Sequence, residues 1–397
     1  MPTAGIICEF NPFHNGHAAL FAKVRAALGA DTAIVCAMSG NFVQRGEPAA
    51  FSKHARAEAA LRCGADLVLE LPLPWALSSA DCFALGGTAV LAALGSVDTL
   101  CFGSESGDAD ALARLGAALD SPEAEELIAE GVARGLSYAL ARERAAEKLA
   151  GADAELLRRP NDMLAAEYLR ALRALGSDIK PLCVLRPGEG HDSPAPDKEN
   201  PSASFLRSAL AESRPISGYL PAAAEEVFMR EMAENGGIVT ADSLSRAALS
   251  RLRALAPQDF ERFAPGGLGM RIARFARSEA ELSSAAEAAK TKRYPLARIR
   301  RALLSAAIGA DIKTAEELPP YIRVLGMSSL GMALLRAASK KASLPIITKP
   351  AAVKKLDAAA QRVFGLEAAG TDLWTLGRKN PGRGGLEWTT GPVILKK

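Results

Sequence analysis

Four short, mainly apolar runs within about the first hundred residues constrain this chain most. They are Ala4–Cys8, Thr32–Met38, Asp66–Leu71 and Asp98–Phe102, and helical apolar spacing fills the gaps between them. In the first gap, Leu20, Phe21, Val24 and Leu28 mark one helix face. Strands without polar alternation are covered on both faces, and strands alternating with helices form a parallel sheet. Such sheets bind ligands beyond the carboxyl ends of their strands. The segments at those ends, Phe10–His17, Ser39–Pro48 and Gly103–Asp108, are rich in Gly, Asn and charge. A further run, Ile179–Leu185, reads as a fifth strand ending in Arg186, and Asp162 reads as the cap of the helix before it.

The first of these segments carries His14-Asn15-Gly16-His17 on the first turn of a helix. Unpaired backbone N–H groups and the helix dipole attract anions there. Imidazole donors at that place suit a phosphate gaining charge during reaction, and a glycine lets the backbone approach it. A metal pair is the competing reading. A closed site needs more ligands, and only His54 and His191 remain, with scattered cysteines; His191, in the Gly/Pro-rich loop 187–203, reads as a solvated loop residue. The pattern is the His-x-Gly-His signature of nucleotidyl transfer. The chain contains no Gly-x-x-x-x-Gly-Lys-[Ser/Thr] loop, no Gly-x-Gly-x-x-Gly fingerprint and no Gly-x-Ser-x-Gly elbow.

The 397 residues are enough for two or three domains. Beyond Pro221 helical periodicity dominates. We divide the chain into 1–218, a nucleotide-binding α/β domain, 219–370, a mainly helical basic region, and 371–397, a Gly/Pro-rich tail expected to be loosely held. Net charge is only +3, but its distribution is uneven. Eight acids lie between Glu105 and Glu130 against one base, and seven bases with no acid lie between Leu318 and Lys355. That asymmetry points to a polyanion held by the C-terminal half. Lys290, Lys292, Arg293, Arg298, Arg300, Arg301 and Arg323 are its nucleic-acid candidates, with Tyr294 or Tyr321 able to stack on an unpaired base. Six cysteines in apolar surroundings, no basic leader and no apolar run of about 18 residues point to a reduced cytosol and no membrane span.

Laid out in order, Glu9–His17, Met38–Pro48, Gly64–Pro72, Phe102–Glu105, Pro160-Asn161, Ser202–Arg207, Lys290–Tyr294 and Pro320–Met327 resemble one family almost end to end. The chain is similar to bacterial tRNA(Met) cytidine acetate ligases, in the nucleotidyltransferase-like superfamily, over roughly residues 5–330. It departs from the pattern at His54, where an aromatic is usual, and in its tail. The resemblance implies a Rossmann-like domain followed by a mainly α-helical region. It implies that ATP, accompanied by Mg2+, activates acetate to acetyl-adenylate. The acetyl group then passes to N4 of the wobble cytidine in the anticodon of elongator tRNA(Met). Carried over by position, ATP contacts fall on Ile7, Cys8, Glu9, Phe10, Asn11, Pro12, Phe13, His14, Asn15, Gly16, His17, Ala18, Ala19 and Leu20, and on Gly103, Asn161 and Arg186. His14 and His17 are the catalytic candidates. Arg207 is a further phosphate candidate, and Lys53, Arg45 and Arg56 are equally well read as surface charge. Two other functions fit the first domain alone: adenylyl transfer to a small metabolite, and non-catalytic nucleotide or RNA binding.

Overall fold

Every residue of the strand β1 (Thr3–Cys8) is buried, as are all of β2 (Ala33–Ser39) and β5 (Leu67–Leu71). The computed structural model, which describes residues 1–186 and 201–396, shows why. These strands lie inside a sheet with side chains packed on both faces. Between and beyond them come β3 (Phe42–Val43), β4 (Glu47–Pro48), β6 (Thr99–Ser104), β7 (Lys180–Leu185), β8 (Ile322–Ser328), β9 (Ile346–Ile347) and β10 (Val393–Leu395). The large sheet has the order β10-β8-β5-β2-β1-β6-β7, with β9 also on β8. From β5 to β7 all pairings are parallel, and β8 runs antiparallel to β5.

The chain winds outward from β1 in both directions, so the strand order reverses between β1 and β6. A crevice opens at such a point, at the carboxyl ends of the two strands. The period-2 alternation of a strand divides the core. Ile7, Val35 and Leu69 pack on one face with Trp75 and Phe83, whereas Ile6, Cys8, Cys36 and Met38 pack on the other with Phe13 and Phe21. The helix Ala80–Ala93 comes close to β1 because Gly87 carries no side chain, and close to Trp75 because Gly86 carries none. A Cβ on Gly87 would stand 2.8 Å from Ile7, and one on Gly86 2.5 Å from Trp75.

The C-terminal part is mainly helical and has its own core, from Leu244 and Leu252 through Ile299 to Trp374. Its strands nevertheless extend the N-terminal sheet. The stretch after Thr371, expected to be loosely held, is built in. The helix Ala358–Leu376 runs through its start, Trp374 donates to Ala49 O at 2.7 Å, and β10 pairs in parallel with β8. Apolar contact and the sheet ladder hold it where its glycine and proline content gave no sign of either. His191 lies outside the described residues.

Candidate active site

β1 ends at Cys8, and the chain turns through Phe10 at φ 46° into the helix Asn15–Leu28. A left-handed phenylalanine costs about 1–3 kcal/mol. It is held here by edge contacts with Phe13, His17 and Phe21 at centroid distances of 4.9, 4.9 and 6.0 Å. His14 caps the helix. Its Nδ1 accepts from the Gly16 N–H at 3.1 Å, and the His17 Nδ1 accepts from the His14 N–H at 3.2 Å. Both Nδ1 lone pairs are thereby used, which puts the ring proton on Nε2 in each. The rings lie 3.8 Å apart and 31° from parallel. Burial, then the Arg186 cation, pushes His14 down to about 3. Burial, with His14 and Arg186 behind it, holds His17 well below the usual range. The pair is neutral at pH 7, with two N–H donors and no positive charge.

A cavity of about 1200 Å³ opens beside this turn, at the reversal point of the sheet. Of the residues the sequence assigns to ATP, Ile7, Cys8, Glu9, Phe10, Asn11, Gly16, His17, Ala19, Leu20, Gly103, Asn161 and Arg186 line it, and so does Arg207. Pro12, Phe13, His14, Asn15 and Ala18 are not on its wall. Phe13 is in the core, and the Asn15 amide donates to Gly218 O at 3.0 Å.

Arg186 follows β7 and donates its N–H to Ser104 O at 2.8 Å. Its guanidinium makes no ion pair among the described residues. Burial lowers its pKa, opposed by Glu105. Glu105 itself holds the start of the helix Pro160–Ala174, accepting from Asn161 N at 3.2 Å, Asn161 Nδ2 at 2.6 Å and Asp162 N at 2.9 Å. The cap expected from Asp162 therefore comes from Glu105. Asp162 is fully buried and accepts from Ser106 N and Ser104 Oγ instead.

Arg56 has a role the sequence did not single out. It is fully buried, and it donates to Glu9 O at 2.5 Å, to Ser39 O at 3.1 Å and to Gly40 O, tying the ends of β1 and β2 together. Nothing in helical spacing separates such an arginine from a solvated one. Lys53 is also buried, whereas Arg45 is exposed on the β3–β4 hairpin.

With this geometry in hand, the comparisons decide the family. A model described as HIGH Nucleotidyl Transferase matches residues 1–385. A tRNA(Met) cytidine acetate ligase of Acetivibrio thermocellus is 35% identical over 416 residues, covering 100% of both chains. One of Syntrophotalea carbinolica is 40% identical over 362 residues, covering 88% of this chain and 85% of its own. The chain belongs to the tRNA(Met) cytidine acetate ligase family. The fold agrees. Thermotoga maritima TmcAL in its apo form superposes with a TM-score of 0.93 at 31% identity over 100% of both chains. The same enzyme bound with alpha-thio ATP gives 0.90 at 31% identity, again over 100% of both chains.

Two of the residues proposed to meet a nucleic acid do not reach a surface in this family member. Arg323 is 2% exposed and Tyr321 0%. Arg323 pairs with Glu70 at 3.3 Å and with Glu387, and Lys53 joins the same cluster, 2.6 Å from Glu70, 2.7 Å from Glu387 and 3.5 Å from Glu367. This cluster links β5, β8 and the helices near the C-terminus. Burial and Glu70 push the Glu367 carboxyl up to about 8, so the cluster's two cations face two charged carboxylates, and the acid oxygens are already engaged by Lys53 and Arg323. The remaining basic residues split. Lys340 and Lys341 are exposed beside the Gly95 turn, at the amino ends of the parallel strands and away from the cavity. Lys290, Lys292 and Arg293 are exposed beside the helix Leu296–Ile308, whose Arg301 and preceding Pro295 line the cavity. Arg293 and Arg298 each lie 5.5 Å from the Tyr294 ring. Arg300 pairs with Glu47 at 2.6 Å, and Arg301 donates to Gln44 O at 3.1 Å.

Proposed function

We propose that the protein activates acetate with ATP and transfers the acetyl group to N4 of the wobble cytidine of elongator tRNA(Met). An acetate oxygen attacks the α-phosphorus, pyrophosphate leaves, and acetyl-adenylate forms. The cytidine N4 then attacks the acyl carbon and AMP leaves. The observation that carries this reading is the neutral His14/His17 pair at the start of the helix Asn15–Leu28, with His17 on the cavity wall together with Arg186, which makes no ion pair among the described residues. The Nε2–H donor of His17, with the His14 ring stacked against it, and the helix dipole stabilise charge that builds on the phosphates as pyrophosphate departs. Arg186 supplies the net positive charge that the neutral imidazoles lack.

Magnesium belongs to this reading as part of the nucleotide, held by phosphate oxygens and water. The cavity wall offers only two carboxylates among the described residues, Glu9 and Glu47, and Glu47 is already paired with Arg207 and Arg300. The donor set is thus unsuited to a resident ion. The anticodon approaches past Lys290, Lys292, Arg293 and Arg298, where its phosphates are held and Tyr294 offers a stacking face. An unpaired loop base leaves its stack at modest cost. No described helix is long and apolar enough to cross a membrane. We place the protein in the cytoplasm with its tRNA.

Incubation with ATP, radiolabelled acetate and elongator tRNA(Met) tests the proposal. Label appears in tRNA, on the wobble cytidine, only when ATP is present. Label absent from tRNA, or transfer of AMP to a small metabolite instead, would overturn it.

A further inference from the structure

The stretch that the family resemblance gives to ATP contains one residue whose charge is wrong for that task. Glu9 stands on the cavity wall directly after β1. A carboxylate repels the phosphates of ATP and repels acetate as well. Its Oε1 accepts the Gln44 N–H at 2.7 Å, and its Oε2 has no partner among the described residues. Glu47, the other carboxylate on the wall, has one oxygen on Arg300 and the other on Arg207. Among the described residues of the wall, Glu9 is therefore the one acceptor of that charge left open to a ligand.

Its position is toward the acceptor's side. Gln44, which donates to Glu9, accepts from Arg301 on the basic helix Leu296–Ile308. That contact joins Glu9 through the β3–β4 hairpin to the surface assigned above to tRNA. Two residues further along, Asn11 is 3% exposed and also lines the cavity; its Oδ1 accepts from Ala50 N at 2.8 Å, while its Nδ2 is buried with no partner among the described residues. A carboxylate oxygen on the wall together with a buried, unsatisfied amide donor matches the edge of cytosine, which donates through N4 and accepts through N3 and O2.

We propose that Glu9 is the catalytic base of the transfer step, accepting a hydrogen bond from N4 of the cytidine, with Asn11 Nδ2 donating to the same base. As the N4–C(acyl) bond forms, the bond from the acyl carbon to the adenylate oxygen breaks and AMP leaves with the electron pair. The N4 proton passes to the Glu9 carboxylate and then to water. This inference rests on the acetate ligase reading of the site.

Glu9→Gln keeps the side-chain oxygen for Gln44 but cannot take a proton. Two rates are measured on the full-length protein: acetate-dependent exchange of labelled pyrophosphate into ATP without tRNA, and acetyl transfer to tRNA(Met). General-base loss costs about 10²–10⁴-fold, so transfer should fall at least a hundredfold further than exchange does. Exchange also reports that the variant is folded. Equal loss of both rates, as a magnesium or phosphate role predicts, would overturn the assignment, and so would transfer within tenfold of wild type. Absence of exchange in the wild-type protein would instead count against acetate activation itself.

Discussion

His14 and His17 stack with their centroids 3.8 Å apart, and each turns Nδ1 to a backbone N–H of its own helix start. The backbone thus fixes the tautomer that the proposed chemistry needs, and burial keeps both rings uncharged. Replacing His17 by Ala removes one Nε2–H donor. Loss of one such donor costs about 10²–10³-fold in turnover. Filter binding of tRNA should be nearly unchanged, because the basic helix is untouched; turnover close to wild type would remove His17 from the chemistry.

In the proposed reading, Arg186 carries the net charge of the phosphate site. Arg186→Met should weaken ATP binding by about 2 kcal/mol, the range for a charged hydrogen bond, or roughly thirtyfold in Kd. Calorimetric titration with ATP reads this directly. Arg186→Lys should recover only part of it, since an ammonium lacks the planar fork.

The turn, the three loops beyond the strand ends and the α/β class were readable in the sequence. Mainly apolar runs and the His-x-Gly-His spacing are local signals. Other features depend on partners far along the chain. Arg323 looked like its basic neighbours, because nothing near it announces Glu70 or Glu387. Arg56 looked like a solvated helix residue for the same reason. Their burial is a property of the assembled sheet and of the C-terminal helix closing on it, which no local window contains.

The buried cluster around Lys53 gives an asymmetric prediction. Glu367 is pushed up to about 8 by burial and by Glu70, so its carboxyl is protonated at neutral pH. Glu70, Glu387, Lys53 and Arg323 then balance. Glu367→Gln should therefore change stability by less than about 1 kcal/mol, whereas Arg323→Ala, which strands buried carboxylates, should cost about 3–5 kcal/mol. Urea unfolding of the two variants at pH 7 compares them. Equal losses would contradict the assigned protonation.

The β3–β4 hairpin meets the basic helix at Gly46. That residue has φ 75°, and a Cβ on it would stand 2.5 Å from Arg301 N. Gly46→Ala should part the hairpin from the helix and lower acetyl transfer more than it lowers overall stability. Parallel thermal melts and transfer assays separate the two effects.

His14 and His54 each have a folded pKa of about 3 against 6.5 unfolded. The unfolded chain then binds more protons between those limits, so stability is fully present above pH 6.5 and falls as pH drops toward 3. Each histidine steepens the slope by at most about 1.4 kcal/mol per pH unit. Replacing His54 by Phe should flatten that limb of the pH–stability curve; an unchanged slope would show that His54 is not held neutral.

The central claim is that acetate itself attacks the α-phosphorus beside the paired histidines. Oxygen-18 acetate tests it most directly. After one round of transfer to tRNA(Met), mass spectrometry should find one heavy oxygen in the phosphate of the released AMP. AMP free of heavy oxygen, or ADP in its place, would contradict the account.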